Sequence, residues 1–232
     1  MTYGRKVIGT VGVMSGIPVI PTNFMWSFQK MTLYNERFVT LPNEEILYIG
    51  APFSLHSAAR NSLANKTQGD WLFMLDTDQE FDADVLGKLL YTMYEYDLDI
   101  VTGVAYQKGS PYLPLVYIYE EDLGGFQILS KIDSEDVVKV GAAGGGCLLI
   151  KNYVFDKIFY ELEEQPFDII GPLGEDLSFF ERCRKLDIEV WCDPKVEIGH
   201  LKFSSVTKED NQKEILNFNH EFKETVLLQK SP

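Results

Sequence analysis

Cysteine is scarce. Cys147, Cys183 and Cys192 are the three in 232 residues, odd in number, scattered and without a CxxC pair. That pattern excludes a disulfide framework and offers no zinc spacing, so the thiols are expected in the core of a protein from a reducing compartment. Long apolar runs are also missing. None approaches the roughly 18 residues of a membrane span, and MTYGRKVIGTVGV lacks the apolar region and small-residue cleavage site of a signal peptide. A cytoplasmic protein without a membrane span is the expectation. Basic charge is short, with 21 Lys and Arg against 35 Asp and Glu for a formal net charge of -14. Such a surface repels phosphate polyanions unless basic residues gather locally, which argues against broad nucleic-acid binding. With neither repeats nor low-complexity tracts, and 45% hydrophobic against 24% charged residues, the composition is that of one folded core.

Strand and helix patterns alternate along the chain, as in an α/β layer fold with a largely parallel sheet. Val7 to Val13 and Leu47 to Ile49 read as strands. Ser54 can cap a helix with Leu55, Ala58, Ala59 and Leu63 on one face. Trp71 to Leu75 is an apolar run of strand length, followed by a helix opened at Asp82 or Ala83 with Val85, Leu86, Leu89, Leu90 and Met93 at helical spacing. Ile100 to Ala105 is a strand, Ser110 to Asp122 a loop with an irregular extended piece, and Gly124 to Val140 a hairpin or excursion. Cys147 to Ile150 is a short strand, Tyr153 to Leu162 and Glu175 to Leu186 are helices, and Glu189 to Cys192 is the last strand. From Thr207, TKED resembles a capping box that opens a docking helix or flap.

The chemistry is most legible in WLFMLDTDQEF. The carboxyl end of a buried strand is where open α/β sheets present ligand-binding groups, and Asp76 and Asp78 stand there. Residues i and i+2 of an extended chain point the same way, so the two carboxylates can share one pocket and be relieved by a divalent cation or hydrogen-bond donors. A D-x-D triplet alone is equally the end of a strand and the start of a turn. Two others serve as controls: Asp82 with Asp84 at a helix start, and Asp97 with Asp99 in a polar turn. Only Asp76 and Asp78 directly follow a buried strand.

Four blocks then stand in order: ARN at 59–61, the D-x-D, GED at 174–176 before a helix, and Gly199-His200. In these blocks the chain resembles the small GT-A type glycosyltransferases, close to the family 2-like enzymes of bacteria and bacteriophages, over about Val7 to His200. The N-terminal GTVGVMSGIPVIPTNF is longer than the family's usual strand-then-proline start.

The resemblance implies a single GT-A α/β/α sandwich with a mostly parallel central sheet over residues 1–203, with 204–232 as a C-terminal helix or flap on the same domain. It implies a nucleotide-sugar donor, a UDP-sugar, and a glycan or other hydroxyl acceptor. Asp78, with His200, would ligate Mn2+ or Mg2+, and Asp76 would hydrogen-bond ribose or sugar hydroxyls of the donor or assist the metal; hard carboxylate oxygens suit both ions, and an imidazole tilts the choice to Mn2+. Arg60 would pair Asp76 or the diphosphate, with Asn61 in support, and Gly145 and Gly146 of GAAGGG would let the donor sugar approach the backbone. Asp176 would be the general base of an inverting transfer, with Glu175 orienting the acceptor. Helix-start carboxylates are also stabilising without further purpose, and a lone histidine is commonly structural. The alternatives are a sugar-nucleotide pyrophosphorylase, for which no glycine-rich basic signature is seen, and a catalytically silent glycan- or nucleotide-sugar-binding relative. A modified DNA base as acceptor is disfavoured by the acidic charge.

Overall fold

A computed structural model of the chain describes residues 4–15, 19–51 and 54–202. The expected helix or flap over 204–232 lies outside the described residues. Strands β1 (Lys6–Met14), β2 (Glu44–Ala51), β3 (Trp71–Asp76), β4 (Gln79–Glu80), β5 (Ile100–Ala105), β10 (Cys147–Lys151) and β11 (Val190–His200) lie in the order β2-β1-β3-β10-β5-β11-β4. The pairings make β2, β1, β3, β5 and β11 run the same way, with β10 reversed between β3 and β5. That reversal follows from the connection: β10 is reached from β5 through a second small sheet and no crossover helix. The small sheet holds β6 (Val116–Glu120), β7 (Gly125–Ile128) and β9 (Ala142–Ala143), while β8 (Val138–Val140) pairs with β11.

Alternation along the strands builds two cores. In β3, Leu72 and Met74 face one side and Trp71, Phe73 and Leu75 the other, all but fully buried. At about 1.5–3 kcal/mol for each large side chain removed from water, this strand anchors the sheet. The first side is covered by α2 (His56–Lys66), α4 (Tyr153–Leu162) and α5 (Glu175–Lys185). The second is covered by α1 (Thr22–Phe38) and α3 (Val85–Glu95). The result is the expected α/β/α sandwich. The three cysteines are buried and free, and burial pushes the Cys147 thiol up to about 12, in keeping with inert core thiols.

Two local expectations are corrected and one helix went unread. Helix α1 was not legible as an element, yet it buries Phe24, Ser27, Met31 and Asn35 at intervals of three and four. The buried face of α2 is Ala59, Arg60, Leu63 and Ala64, whereas Leu55 and Ala58 are exposed and Ser54 makes no cap. The last strand does not stop at Cys192. Its register shifts between Cys192 and Glu197, where the Asp193 carboxylate accepts from Thr92 (2.7 Å) and from the Lys195 amide (3.0 Å), and it then continues to His200. A bulge tolerates Pro194 where a regular ladder would not.

Candidate active site

The site forms where three strand ends meet. β3 ends at Asp76 beside Met14 of β1, and the Asp76 amide donates to the Gly146 carbonyl just ahead of β10 (3.1 Å). The chain then turns into β4, which pairs with the far end of β11 through Gln79 and His200. The Leu201 amide closes the turn on the Asp78 carbonyl (2.7 Å). The extension of β11 past its bulge is therefore what carries His200 to Asp78.

Arg60 is the centre of the cluster. Its side chain is 2% exposed; Nη2 lies 3.1 Å from Asp76 Oδ2, Nε lies 3.1 Å from Asp176 Oδ1 and 3.5 Å from Glu175 Oε1, and Nη1 donates to the Gly145 carbonyl (2.9 Å). Burial alone would favour the neutral guanidine, but Asp176, Asp76 and Glu175 outweigh it and raise the pKa. The shift of Asp76 points the other way from a simple ion pair. Burial raises it, and repulsion from Asp176 and Asp78 adds to burial, so that Arg60 offsets only part of the cost. One buried cation thus serves three acids. Asp76 Oδ1 is buried with no hydrogen-bond partner, an acceptor with capacity to spare.

Burial also pushes the Asp78 carboxyl up, but hydrogen bonds from His200 and Lys108 prevail and hold it well below the usual carboxylate range. His200 Nε2 is 3.5 Å from Asp78 Oδ2, and its Nδ1 is 2.7 Å from the Tyr106 carbonyl. The Tyr106 carbonyl accepts from Nδ1–H and so fixes the ring with Nε2 facing Asp78, the orientation a carbonyl gives to a metal-ligating histidine. Among the described residues no ready-made cluster of three metal-ligating side chains is present. The donor set nevertheless fits a hard divalent cation: two carboxylates, one with an unpartnered oxygen, and an oriented imidazole.

Gly145 and Gly146 are required by close approach. A Cβ on Gly145 would fall 2.3 Å from Asp176 Oδ1 and 2.6 Å from Arg60 Cζ; on Gly146 it would fall 2.1 Å from Gln79 Nε2 and 3.0 Å from Asp76 Oδ2. Glu175 and Asp176 open α5 with Gly174 at its N-cap, and their side chains remain 17% and 28% exposed toward the same space. Asn61 is not brought into the cluster. Its amide donates to Asp168 (2.8 Å) and its carbonyl accepts from the Phe167 amide (2.8 Å), tying α2 to the segment ahead of α5. Lys108, Gln79 and His56, whose Nδ1 is 3.6 Å from Glu175, were not anticipated. Only the contacts of the loop after β5 reveal Lys108.

The two control triplets also attract lysines, Lys88 for Asp82 and Asp84, Lys151 for Asp97 and Asp99, but Asp82 and Asp97 are 86% and 96% exposed and neither triplet touches a second acid pair. A cleft of about 680 Å³ lies at the opposite end of the sheet beside Lys6, Asp70 and Tyr91 and is lined by none of Asp76, Asp78, Glu175 and Asp176. Convergent charge, not cavity size, marks the site.

Residues 43–159, half of the chain, match the family model "Glycosyl transferase family 2". The chain belongs to this glycosyltransferase family. Arg60, Asp76, Asp78, Gly145 and Gly146 fall within the matched span, while Glu175, Asp176 and His200 lie beyond it. No curated protein matches. Solved structures of similar fold include GalNAc-T7 with UDP, GalNAc and Mn2+, at 13% identity and a TM-score of 0.56 over 86% of this chain and 45% of that one. A197 from STIV is 16% identical with a TM-score of 0.49, over 86% and 96%. The first likeness concerns the GT-A fold alone, and the chain spans less than half the length of that GalNAc-T7 chain. Among the described residues no helix is long and apolar enough to cross a membrane.

Proposed function

We propose that this family 2 glycosyltransferase is metal-dependent, takes a UDP-sugar as donor, and transfers the sugar to a hydroxyl acceptor with inversion. The observation that carries the reading is the double engagement of Arg60, which holds Asp76 of the D-x-D and Asp176 of the GED block at 3.1 Å each. A donor diphosphate at the first acid and an acceptor at the second are then neighbours, as direct displacement needs.

In the reaction, Asp176 accepts the proton of the acceptor hydroxyl as its oxygen attacks the anomeric carbon. The bond from that carbon to the diphosphate oxygen breaks, and its electron pair leaves with the nucleoside diphosphate; the proton on Asp176 passes to solvent afterwards. Glu175 orients the acceptor and Arg60 fixes both acids. Gly145 and Gly146 leave room for the donor sugar against the backbone. Asp78, Asp76 and His200 would hold Mn2+ or Mg2+, which when bound neutralises the charge that builds on the diphosphate. GalNAc-T7, of like fold, was solved with UDP and Mn2+, in keeping with this choice. The acceptor is read as a glycan or other hydroxyl compound; the net charge of -14 weighs against DNA.

The test is a donor panel of UDP-, GDP- and dTDP-sugars, read by nucleoside diphosphate release in Mn2+, Mg2+ and chelator, on the parent and Asp78→Ala. Metal-stimulated release by the parent, lost on substitution, is expected. A folded parent that releases no diphosphate from any donor in Mn2+ is a silent binder, and the enzymatic reading falls.

A further inference from the structure

Asp78 already has a cation. The Lys108 ammonium donates to Asp78 Oδ2, the same oxygen that lies 3.5 Å from His200 Nε2. Lys108 rides a tight loop between β5 and β6, pinned by the Leu115 amide on the Ala105 carbonyl (2.8 Å), the Gln107 amide on the Leu113 carbonyl (2.9 Å) and a bridge between Tyr106 and Pro114. The same loop supplies the Tyr106 carbonyl that orients His200 (2.7 Å). One short segment therefore sets both the imidazole and the positive charge at Asp78.

The two groups are not equally fixed. His200 is 18% exposed and held at both ring nitrogens, whereas the Lys108 side chain is 39% exposed and ends on a flexible four-carbon stem. A divalent cation at Asp78 repels an ammonium sharing its carboxylate oxygen, and of the two partners only Lys108 is free to swing out. Its nearest new anion is then whatever the divalent cation brings with it, and in a glycosyltransferase that is the diphosphate of the donor.

We propose that Lys108 is a resident counter-cation of Asp78 that competes with the divalent metal and, once displaced, pairs with the donor diphosphate. Bare metal is thereby held weakly, while metal with diphosphate is held tightly, because only the latter gives the ammonium a new partner. This inference rests on the metal role of Asp78 proposed above and adds a residue outside that set.

The experiment is a Mn2+ titration of the parent, Lys108→Met, Lys108→Arg and Asp78→Ala, following free Mn2+ by electron paramagnetic resonance without nucleotide, then repeated as a UDP titration in saturating Mn2+. Circular dichroism and melting establish that each variant is folded. Lys108→Met is expected to bind bare Mn2+ about three- to fivefold more tightly, the worth of a part-exposed ion pair, and UDP weaker by a similar factor. Lys108→Arg should restore UDP affinity toward the parent. Equal Mn2+ affinity in parent and Lys108→Met, with Asp78→Ala defective, overturns the exchange and leaves the metal site standing. Saturable Mn2+ binding that Asp78→Ala retains, or none in any variant, overturns the metal reading and this inference with it.

Discussion

Arg60 Nε stands 3.1 Å from Asp176 Oδ1, on a guanidinium whose Nη2 is already committed to the D-x-D strand. The carboxylate assigned to proton removal is thus not an independent helix-cap residue. It is tied through one buried cation to the acids assigned to the diphosphate.

Asp176→Asn should separate chemistry from binding. The amide keeps the shape beside Arg60 but accepts no proton, so kcat should fall about 10²- to 10⁴-fold with donor KM little changed. Steady-state diphosphate release with acceptor present measures both. A parental kcat in the variant would return Asp176 to a helix-capping role.

Arg60→Met leaves Asp76, Asp176 and Glu175 without their shared cation in a buried place. Removing one member of a buried ionic cluster costs about 3–5 kcal/mol, and urea unfolding should show a loss of that order. Arg60→Lys should recover little, because a single ammonium cannot reproduce the fork that reaches both acid blocks and the Gly145 carbonyl. A lysine variant as stable as the parent would contradict this geometry.

Adjacent glycines give a graded comparison. Gly145→Ala drives a methyl into Asp176 and Arg60, while Gly144→Ala meets only the Leu115 side chain, at 3.3 Å and beyond. The former is expected to lose most activity and about 1–3 kcal/mol of stability, the latter to retain both. Parallel activity and urea curves check the order.

The pH dependence follows from the direction of one shift. The folded-state pKa of Asp78 is depressed, so its contribution to stability is present above the unfolded value and is lost as pH falls through the folded one. In chelator, the melting-temperature gap between parent and Asp78→Asn should stay level from pH 7 to pH 5 and close only below about pH 4. A gap that closes between pH 7 and pH 5 would contradict a depressed Asp78 carboxylate.

Where the sequence was legible, the signal was periodic or local. Trp71 to Leu75 and the Val85 to Met93 stripe read correctly because burial on a strand or one helix face leaves a fixed spacing in the chain. Asp76 and Asp78 stood out because they directly follow a buried strand, whereas Glu175 and Asp176 were singled out by the family resemblance, since local order alone reads them as helix-start carboxylates. Lys108 was not legible, since its partner Asp78 is set by loop packing across the sheet. Asn61 shows the limit of adjacency: one step from Arg60 on a helix is about 100° of rotation, enough to send its amide to Asp168 instead of the site. Helix α1 escaped because its buried positions include Ser27 and Asn35, polar residues that blur the apolar stripe.

The central claim, that Asp78 and its neighbours hold a cation against a departing diphosphate, is tested most directly by crystals grown with UDP and Mn2+ and measured for manganese anomalous scattering. A peak between the Asp78 carboxylate and His200 Nε2, touching the UDP phosphates, with Lys108 withdrawn from Asp78, is the predicted result. Ordered UDP with no anomalous peak there, and the Lys108–Asp78 pair intact, would contradict it.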